Sequence, residues 1–155
     1  MILEAKKKEL ETWDDAAQKR YTTYFGTPSE AGRKVIMGRI DSELAINKDF
    51  KLEQFKPIDK ADDEPGTFAQ VSPSDAAHNV EIGQRMQSAP VSGHNSIAGA
   101  LAHEMSHFTD GGNTDDVKSG RNIVYGEEPS KRLALKNPAL ALKNADNFEY
   151  YLESK

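Results

Sequence analysis

The segment that most constrains the fold of this chain is His103-Glu104-Met105-Ser106-His107. Residues four positions apart lie one turn apart on the same face of an α-helix, so two such imidazoles can reach one metal ion if the segment is helical. The intervening Glu104 is rotated away from the ligand position and can touch a water molecule on the metal. Zinc lowers the pKa of that water toward ~7, and the glutamate can accept its proton. The motif therefore predicts a helix that carries a zinc site and a general base.

The residues on either side of the motif also predict a helix. Asn95 and Ser96 can cap its start before Ile97, and Gly111-Gly112 can stop it. A stripe of apolar residues at helical spacing can be buried while the histidine face stays open. This stripe consists of Ile97, Leu101, Met105 and Phe108. The alternative is an ordinary helix with two chance histidines, but it leaves the glutamate and the clustering of two of the chain's four histidines unexplained.

The composition limits the classes of protein that the chain can represent. With 155 residues it can bury a sizeable core, and we expect residues 1–155 to form a single domain. Its net charge of -5 argues against a nucleic-acid-binding surface. Its apolar runs fall well short of the ~20 residues that a membrane-spanning helix needs.

The chain has no cysteine. Disulfides and thiolate zinc ligands are therefore excluded together, and a metal site must use histidine, aspartate or glutamate. The fold also does not depend on an oxidising compartment. The first residues, Met1 to Lys6, form no apolar signal region. We expect a protein that folds in a cytosol and either stays in the cytoplasm or is exported by a specialised secretion system.

Apolar periodicity predicts an α+β protein in which helices dominate. Amphipathic helices are expected at residues 3 to about 20 and, after a turn at 26–29, to about residue 47. Residues 67–71 and 79–83 resemble short strands, which predicts a small antiparallel sheet. The buried positions of the two helices are predicted to be Leu3, Leu10, Trp13, Ala17, Val35, Ile36, Ile40 and Leu44.

Loops separate these elements. Residues 56–66 are predicted to form a polar loop, and a loop rich in glycine, asparagine and aspartate is expected from 110 to about 122. Two helical segments close the chain. The last is marked by Asn137 as cap, Pro138 at the first helical position and apolar residues through Leu152.

A catalytic zinc site needs a third protein ligand and an open position. Metzincins take that ligand from a histidine six residues beyond the motif, but here the position holds Asn113, so a metzincin arrangement is excluded. The remaining candidates are the distal Glu127, Glu128 and Glu149 and the loop residues Asp115 and Asp116. The loop is the better source, because its glycines let the chain return a carboxylate close to the metal.

Six segments of the chain, the motif included, follow the order seen in peptidyl-Lys metalloendopeptidases, the lysine-specific branch of the aspzincins. These segments are Arg20 to Gly26, Gly66 to Ala69, His103 to Phe108, Thr114 to Asp116, Tyr125-Gly126 and Asn144 to Tyr150. The resemblance spans residues 20–151, and its motifs are specific in combination. It implies a zincin-like metalloprotease fold, one catalytic Zn²⁺ and cleavage of peptide bonds on the amino side of lysine.

The resemblance implies a role for each residue of the site. His103 and His107 match the histidine ligands, Asp116 matches the aspartate ligand, and Glu104 matches the general base. Tyr125 matches a tyrosine whose hydroxyl stabilises the tetrahedral oxyanion. The family has two residues between this aspartate and this tyrosine, whereas eight separate them here. Whether Tyr125 reaches the site therefore depends on the path of a longer loop.

Asp146 and Glu149 match the acidic pair that, by the resemblance, receives the substrate's lysine on the carboxyl side of the cut. Residues three apart share a helix face, and two carboxylates in a partly dry pocket favour a long cation. The alternative is a solvated acidic face. We expect residues 79–83 to be either an edge strand that pairs with an extended substrate or a core strand. His78 and His94 are expected to be surface or capping residues.

Two further hypotheses stay open. The chain can be a non-catalytic zinc- or peptide-binding module with the family's framework, or a broad-specificity metalloprotease in which the acidic pair faces water. The expected partners are proteins or peptides that contain lysine. A signal-less, cysteine-free protease also fits a bacterial toxin or effector that digests proteins in another cell, with an immunity or inhibitor protein as a further partner.

Overall fold

The computed structural model describes residues 2–155. Helices dominate this range, which confirms the predicted α+β class. The helices are α1 (Ile2–Thr12), α2 (Asp15–Phe25), α3 (Glu30–Asp49), α4 (Ile97–His107), α5 (Glu127–Lys136), α6 (Pro138–Ala141) and α7 (Ala145–Glu153). The strands are β1 (Phe55–Pro57), β2 (Ala69–Val71), β3 (Val80–Ile82), β4 (Lys118–Ser119) and β5 (Asn122–Ile123). No helix within residues 2–155 combines the length and the apolar character that crossing a membrane requires.

The amphipathic helix predicted near the N-terminus is in fact two helices. Trp13 lies between α1 and α2 with a positive φ of 50°, which ends the first helix. Asp14 then caps the second helix by accepting a hydrogen bond from the N–H of Ala17 (2.8 Å). The Trp13 ring packs edge-on against Tyr21, with centroids 5.3 Å apart. The local cap therefore overrides the apolar periodicity that runs through both helices.

α3 begins directly after the predicted turn and buries most of the predicted face. Ser29 accepts a hydrogen bond from the N–H of Gly32 (3.0 Å), and the helix follows. Ile36 and Ile40 are fully buried in a cluster with residues of α1, α2 and α7. The prediction for Val35 is wrong, since its side chain is 48% exposed. One step along a helix turns a side chain by about 100°, which carries Val35 out of the core beside Ile36.

The three-stranded sheet is mixed rather than antiparallel. β3 is its central strand; β1 runs parallel to it and β2 antiparallel. β1 overlaps the predicted polar loop, because a strand of three residues is too short to show an alternating pattern. Of the two expectations for residues 79–83, the edge strand is wrong and the core strand is right. The strand with a free edge near α4 is β2.

Two apolar clusters hold α4 between them. The first, formed with α7 and the N-terminal helices, includes Ala102. The second joins α4 to the sheet and includes Val80 together with Met105 and Phe108, two positions of the predicted stripe. Burial on two sides fixes the helix and leaves its histidine-bearing face for the site.

The last predicted helix is divided in two. Asn137 caps α6 as predicted, by accepting a hydrogen bond from the N–H of Leu140 (3.2 Å). α6 makes about one turn, and α7 begins after a short break. At this break the fully buried side chain of Asn144 accepts a hydrogen bond from the N–H of Val117 (3.1 Å). A tertiary contact therefore interrupts the helix that the local sequence predicts.

A buried asparagine joins three helices. The Nδ2 group of Asn147 in α7 donates to the carbonyl of Tyr24 at the end of α2 (2.6 Å) and to the carbonyl of Ser130 in α5 (2.8 Å). Its Oδ1 accepts a hydrogen bond from Asn144 (2.7 Å). Both asparagines are fully buried. Within the segment Asn144 to Tyr150 they form the scaffold, a role that the sequence analysis did not assign.

We expect Asn147→Leu to lower the free energy of unfolding by about 3 kcal/mol, because three buried hydrogen bonds lose a partner at once. Urea denaturation followed by circular dichroism measures this loss. The same change at the exposed Asn122, in β5, is the matched control and should cost less than ~0.5 kcal/mol. Equal unfolding midpoints for the two variants would contradict the role of Asn147.

Candidate active site and metal centre

α4 begins at its predicted cap and ends sooner than predicted. The Ser96 side chain accepts a hydrogen bond from the N–H of Gly99 (3.0 Å). The last helical residue is His107, and Phe108 is already non-helical, so the helix ends before the predicted stop at Gly111. The motif therefore forms the last turn of α4, and the following chain folds back toward the imidazoles.

A carboxylate from α7 holds the start of α4. Glu153 Oε1 accepts hydrogen bonds from the N–H and the hydroxyl of Ser96 (2.8 and 2.7 Å), and Oε2 accepts one from the N–H of Asn95 (2.9 Å). Negative charge at a helix N-terminus is stabilising. Gly99 leaves room for this carboxylate, because a Cβ atom there would overlap Glu153 Oε1. This role of Glu153 is not visible in the sequence, because no local pattern links the residue to a helix so distant in the chain.

Three predicted ligands converge beside the last turn of α4. Nε2 of His103 lies 3.3 Å from Asp116 Oδ1, and Nε2 of His107 lies 3.6 Å from the same oxygen. The ligand atoms of the three residues lie within 4.8 Å of one another, so one ion can contact all of them. The distal alternatives Glu127 and Glu128 belong to neither group of potential metal ligands in residues 2–155.

The donor set fits a zinc ion. Asp116 Oδ1 is buried and accepts no hydrogen bond from any residue in the range 2–155. A desolvated carboxylate oxygen is costly unless a donor or a cation meets it. Two imidazoles and one carboxylate also leave the fourth position of a tetrahedral zinc open.

The neighbouring Asp115 is held by its backbone instead. Its side chain is exposed and lies outside the ligand cluster. Its N–H donates to the carbonyl of Lys143 (2.9 Å), and its own carbonyl accepts from the N–H of Ala145 (3.0 Å). This pairing fixes the chain next to Asp116. Of the two loop aspartates, the geometry therefore favours Asp116 as the ligand.

Outer contacts turn both imidazoles toward the cluster. His107 Nδ1 donates to the carbonyl of Thr114 (3.0 Å). His103 Nδ1 lies 3.0 Å from Asp146 Oδ1 and 3.0 Å from Glu149 Oε2. With a proton on each Nδ1, each Nε2 keeps the lone pair that a metal ion requires.

The charges around the imidazoles favour a cation. Burial opposes a charge on His103, but three carboxylates in contact with its ring outweigh burial and raise the pKa of this imidazole well above its ordinary value. Burial and the nearby His103 lower the pKa of His107. Burial opposes the ionisation of Asp116, yet the two imidazoles hold its pKa below the ordinary value. An ionised Asp116 and a neutral His107 are the forms that bind a metal, and a metal ion on His103 would replace the Nε2 proton that the carboxylates stabilise.

Glu104 lines the same cavity as the imidazoles. Burial raises the pKa of this carboxyl to about 7; His103 opposes the shift, and Asp116 and Glu149 add to it. A group with such a pKa can accept and release a proton near neutral pH. This is the property expected of the predicted general base.

Tyr125 reaches the cluster because the eight preceding residues form a hairpin. Strands β4 and β5 pair antiparallel, and the N–H of Val124 donates to the carbonyl of Val117 (2.8 Å) at the base of the hairpin. The Tyr125 hydroxyl donates to Asp116 Oδ2 (3.1 Å). Partial burial and this carboxylate raise the pKa of the phenol to about 12, so it stays a hydrogen-bond donor at neutral pH.

The predicted acidic pair is not a solvated face. Asp146 and Glu149 are only 5% and 8% exposed, and both line the cavity. Asp146 Oδ2 also accepts a hydrogen bond from the N–H of Gly126. Burial raises the pKa of Glu149, although His103 opposes the shift. The contact of both carboxylates with His103 is a feature that the sequence analysis did not anticipate.

The ligand cluster and the acidic pair share one open cavity of about 790 Å³. Its lining includes the edge strand β2 with the preceding Gly66 to Phe68, and also Asn95 and Tyr150. Such a cleft is large enough for a stretch of peptide. The two other histidines lie outside the cluster. His94 is at the surface, as predicted, beside Tyr150, whereas His78 is half-buried and contacts Asp110.

These features define the class of the protein as a metal-dependent peptidase. The last turn of a helix carries two imidazoles, the carboxylate of a following loop faces both of them, and the edge of a strand lies beside the cluster. A model of the lysine-specific metallo-endopeptidase family, the aspzincins, matches residues 11–153. The peptidyl-Lys metalloendopeptidase of Pleurotus ostreatus is 37% identical over 137 residues, which cover 87% of this chain and 73% of that protein. An enzyme of the same name from Grifola frondosa is 36% identical over 139 residues, or 90% of this chain and 36% of that protein.

The solved structure of a zinc peptidase from Grifola frondosa matches with a TM-score of 0.74 and 30% identity, covering 98% of this chain and 90% of that one. The chain therefore belongs to the lysine-specific metallo-endopeptidase family. This membership confirms the resemblance, the helix-dominated fold and zinc as the cofactor.

We expect zinc to raise the thermal unfolding midpoint of the chain, because it binds the folded cluster. Asp116→Asn should weaken zinc binding by more than the ~10–100-fold that an outer hydrogen-bond partner contributes. Isothermal titration with a competing chelator measures the affinity. Asp115→Asn is the matched control and should bind zinc like the wild type. The reverse ranking of the two variants would assign the ligand to Asp115.

Proposed function

We propose that this chain is a zinc endopeptidase that cleaves peptide bonds on the amino side of lysine. One observation carries the proposal: a zinc-fitting cluster and a buried acidic pair line the same peptide-sized cavity. The names of the Pleurotus and Grifola relatives support the same specificity.

His103, His107 and Asp116 would hold the zinc ion. When bound, zinc supplies Lewis acidity, which polarises the scissile carbonyl and makes the attacking water more acidic. Glu104, which lines the cavity beside the imidazoles, accepts the proton of that water and delivers it to the leaving amine. The Tyr125 hydroxyl, freed from Asp116, donates a hydrogen bond to the oxyanion.

The substrate main chain is expected to pair with β2. This strand uses one side to pair with β3 and lines the cavity with residues Ala69 to Val71. An extended peptide can add to such a free edge through backbone hydrogen bonds, which give affinity without selecting a sequence. Selection then falls to the side-chain pocket, where Asp146 and Glu149 favour a long cation over a neutral or acidic side chain.

The zinc-loaded chain is expected to digest a denatured protein mixture into products whose new N-termini are predominantly lysine. Mass spectrometry of the termini reads out the specificity, and a chelator should abolish the cleavage. Cleavage without a preference for lysine would favour the broad-specificity alternative.

The variant that tests catalysis is Glu104→Gln, which should still bind zinc but should cleave about 10²–10⁴-fold more slowly than the wild type. Glu53→Gln, at an exposed position away from the cavity, should cleave like the wild type. If the wild type binds zinc and cleaves nothing, the chain is the non-catalytic module.

We also propose that the protein acts as a toxin or effector in a cell other than its producer. The lack of cysteine supports this setting, because a reducing cytosol cannot remove disulfides that the fold does not use. Wild-type chain produced in a bacterial cytosol should slow growth, and Glu104→Gln should not. Unimpaired growth with active enzyme, and no neighbouring gene for an immunity or secretion protein, would contradict this role.

A further inference from the structure

We infer that Asp146 and Glu149 also orient the zinc ligand His103, so that the lysine pocket and the metal centre depend on the same two carboxylates. This inference rests on the proposed function and deepens it. It makes the acidic pair a positioning element for the metal as well as a receptor for the substrate.

The first observation is the geometry of the His103 ring. Its Nε2 faces Asp116 at 3.3 Å, and its Nδ1 lies 3.0 Å from one oxygen of each member of the pair. The Nδ1–H donates its hydrogen bond to Glu149, and Asp146 lies at the same distance as an ion-pair partner. A buried imidazole held in this way keeps one tautomer and one ring orientation, which sets the direction of its metal-binding lone pair.

The carboxylates of Asp146 and Glu149 differ in how many of their oxygens are still free to accept a hydrogen bond from a ligand. Both oxygens of Asp146 have a partner, because Oδ1 contacts His103 and Oδ2 accepts a hydrogen bond from the N–H of Gly126. Gly126 directly follows Tyr125, so Asp146 connects the zinc ligand to the end of the hairpin that carries the tyrosine. We therefore assign Asp146 mainly to positioning.

Glu149 keeps one oxygen for a ligand. Its Oε2 contacts His103, whereas Oε1 accepts no hydrogen bond from residues 2–155 and is not among their fully buried polar atoms. The side chain lines the cavity. Glu149 is therefore the carboxylate that can receive an ammonium group and hold the imidazole at the same time, with one oxygen for each.

The test measures zinc affinity in the absence of substrate, by competition with a chelator of known affinity. Glu149→Gln and Asp146→Asn are each expected to bind zinc ~10–100-fold more weakly than the wild type, with a stoichiometry of one. Glu128→Gln, which removes an exposed carboxylate from α5, is the matched control and should bind like the wild type. Thermal unfolding of the zinc-free proteins identifies a variant that has lost its fold, and the other variant then provides the measurement.

Unchanged zinc affinity in folded Glu149→Gln and Asp146→Asn would overturn the inference and leave the proposed function intact. A second zinc equivalent that disappears in these variants would also overturn it, because the pair would then bind a metal ion itself. Wild-type chain that binds no zinc would instead overturn the proposed function. A terminus-resolved digest with Glu149→Gln should also show reduced preference for lysine, and an unreduced preference would remove Glu149 from the substrate pocket.

Discussion

The site depends on one buried imidazole that is engaged on both nitrogens. His103 is only 8% exposed and lies between Asp116 on one side and the two carboxylates of α7 on the other. Removing one partner of a buried charged group is strongly destabilising, so neither α7 nor the loop after α4 can move far without a large cost. The apolar contact of Ala102 with the cluster around α7 reinforces the same arrangement. The ion pairs of His103 and the apolar packing of Ala102 therefore both hold α4 in the same position.

The position of Asp116, the third member of the candidate ligand cluster, is set by the backbone on both sides of it. The N–H and carbonyl of Asp115 pair with residues at the start of α7, and the N–H of Val117 donates to the buried Asn144 side chain. Asp116 lies between these two anchors, so its carboxylate is directed at the imidazoles although one of its oxygens has no hydrogen-bond partner. The break between α6 and α7, which interrupts the last predicted helix, therefore has a structural role. It holds the loop that completes the ligand set.

The sequence predicted what depends on local spacing and missed what depends on distant contacts. The cap at Ser96 and the pairing of His103 with His107 follow from positions a few residues apart, and the structure has both. The roles of Asn147 and Glu153 come from partners in other helices, and no periodicity marks them. The hairpin before Tyr125 was missed for another reason, since two strands of two residues leave no pattern. Family resemblance supplied the tyrosine, but only the folded loop shows that it reaches Asp116.

The carboxylate that caps α4 has a consequence for the order in which the site can form. Asn95 and Ser96 at the start of this helix bind Glu153, which is translated 57 residues after Ser96. While the chain is still being synthesised, the helix that bears both imidazoles therefore lacks its outer cap, and α7 with its two carboxylates is missing as well. The site is completed only after α7 has been made. A chain that lacks α7 therefore carries the two imidazoles but has neither the cap of their helix nor the two carboxylates that contact His103.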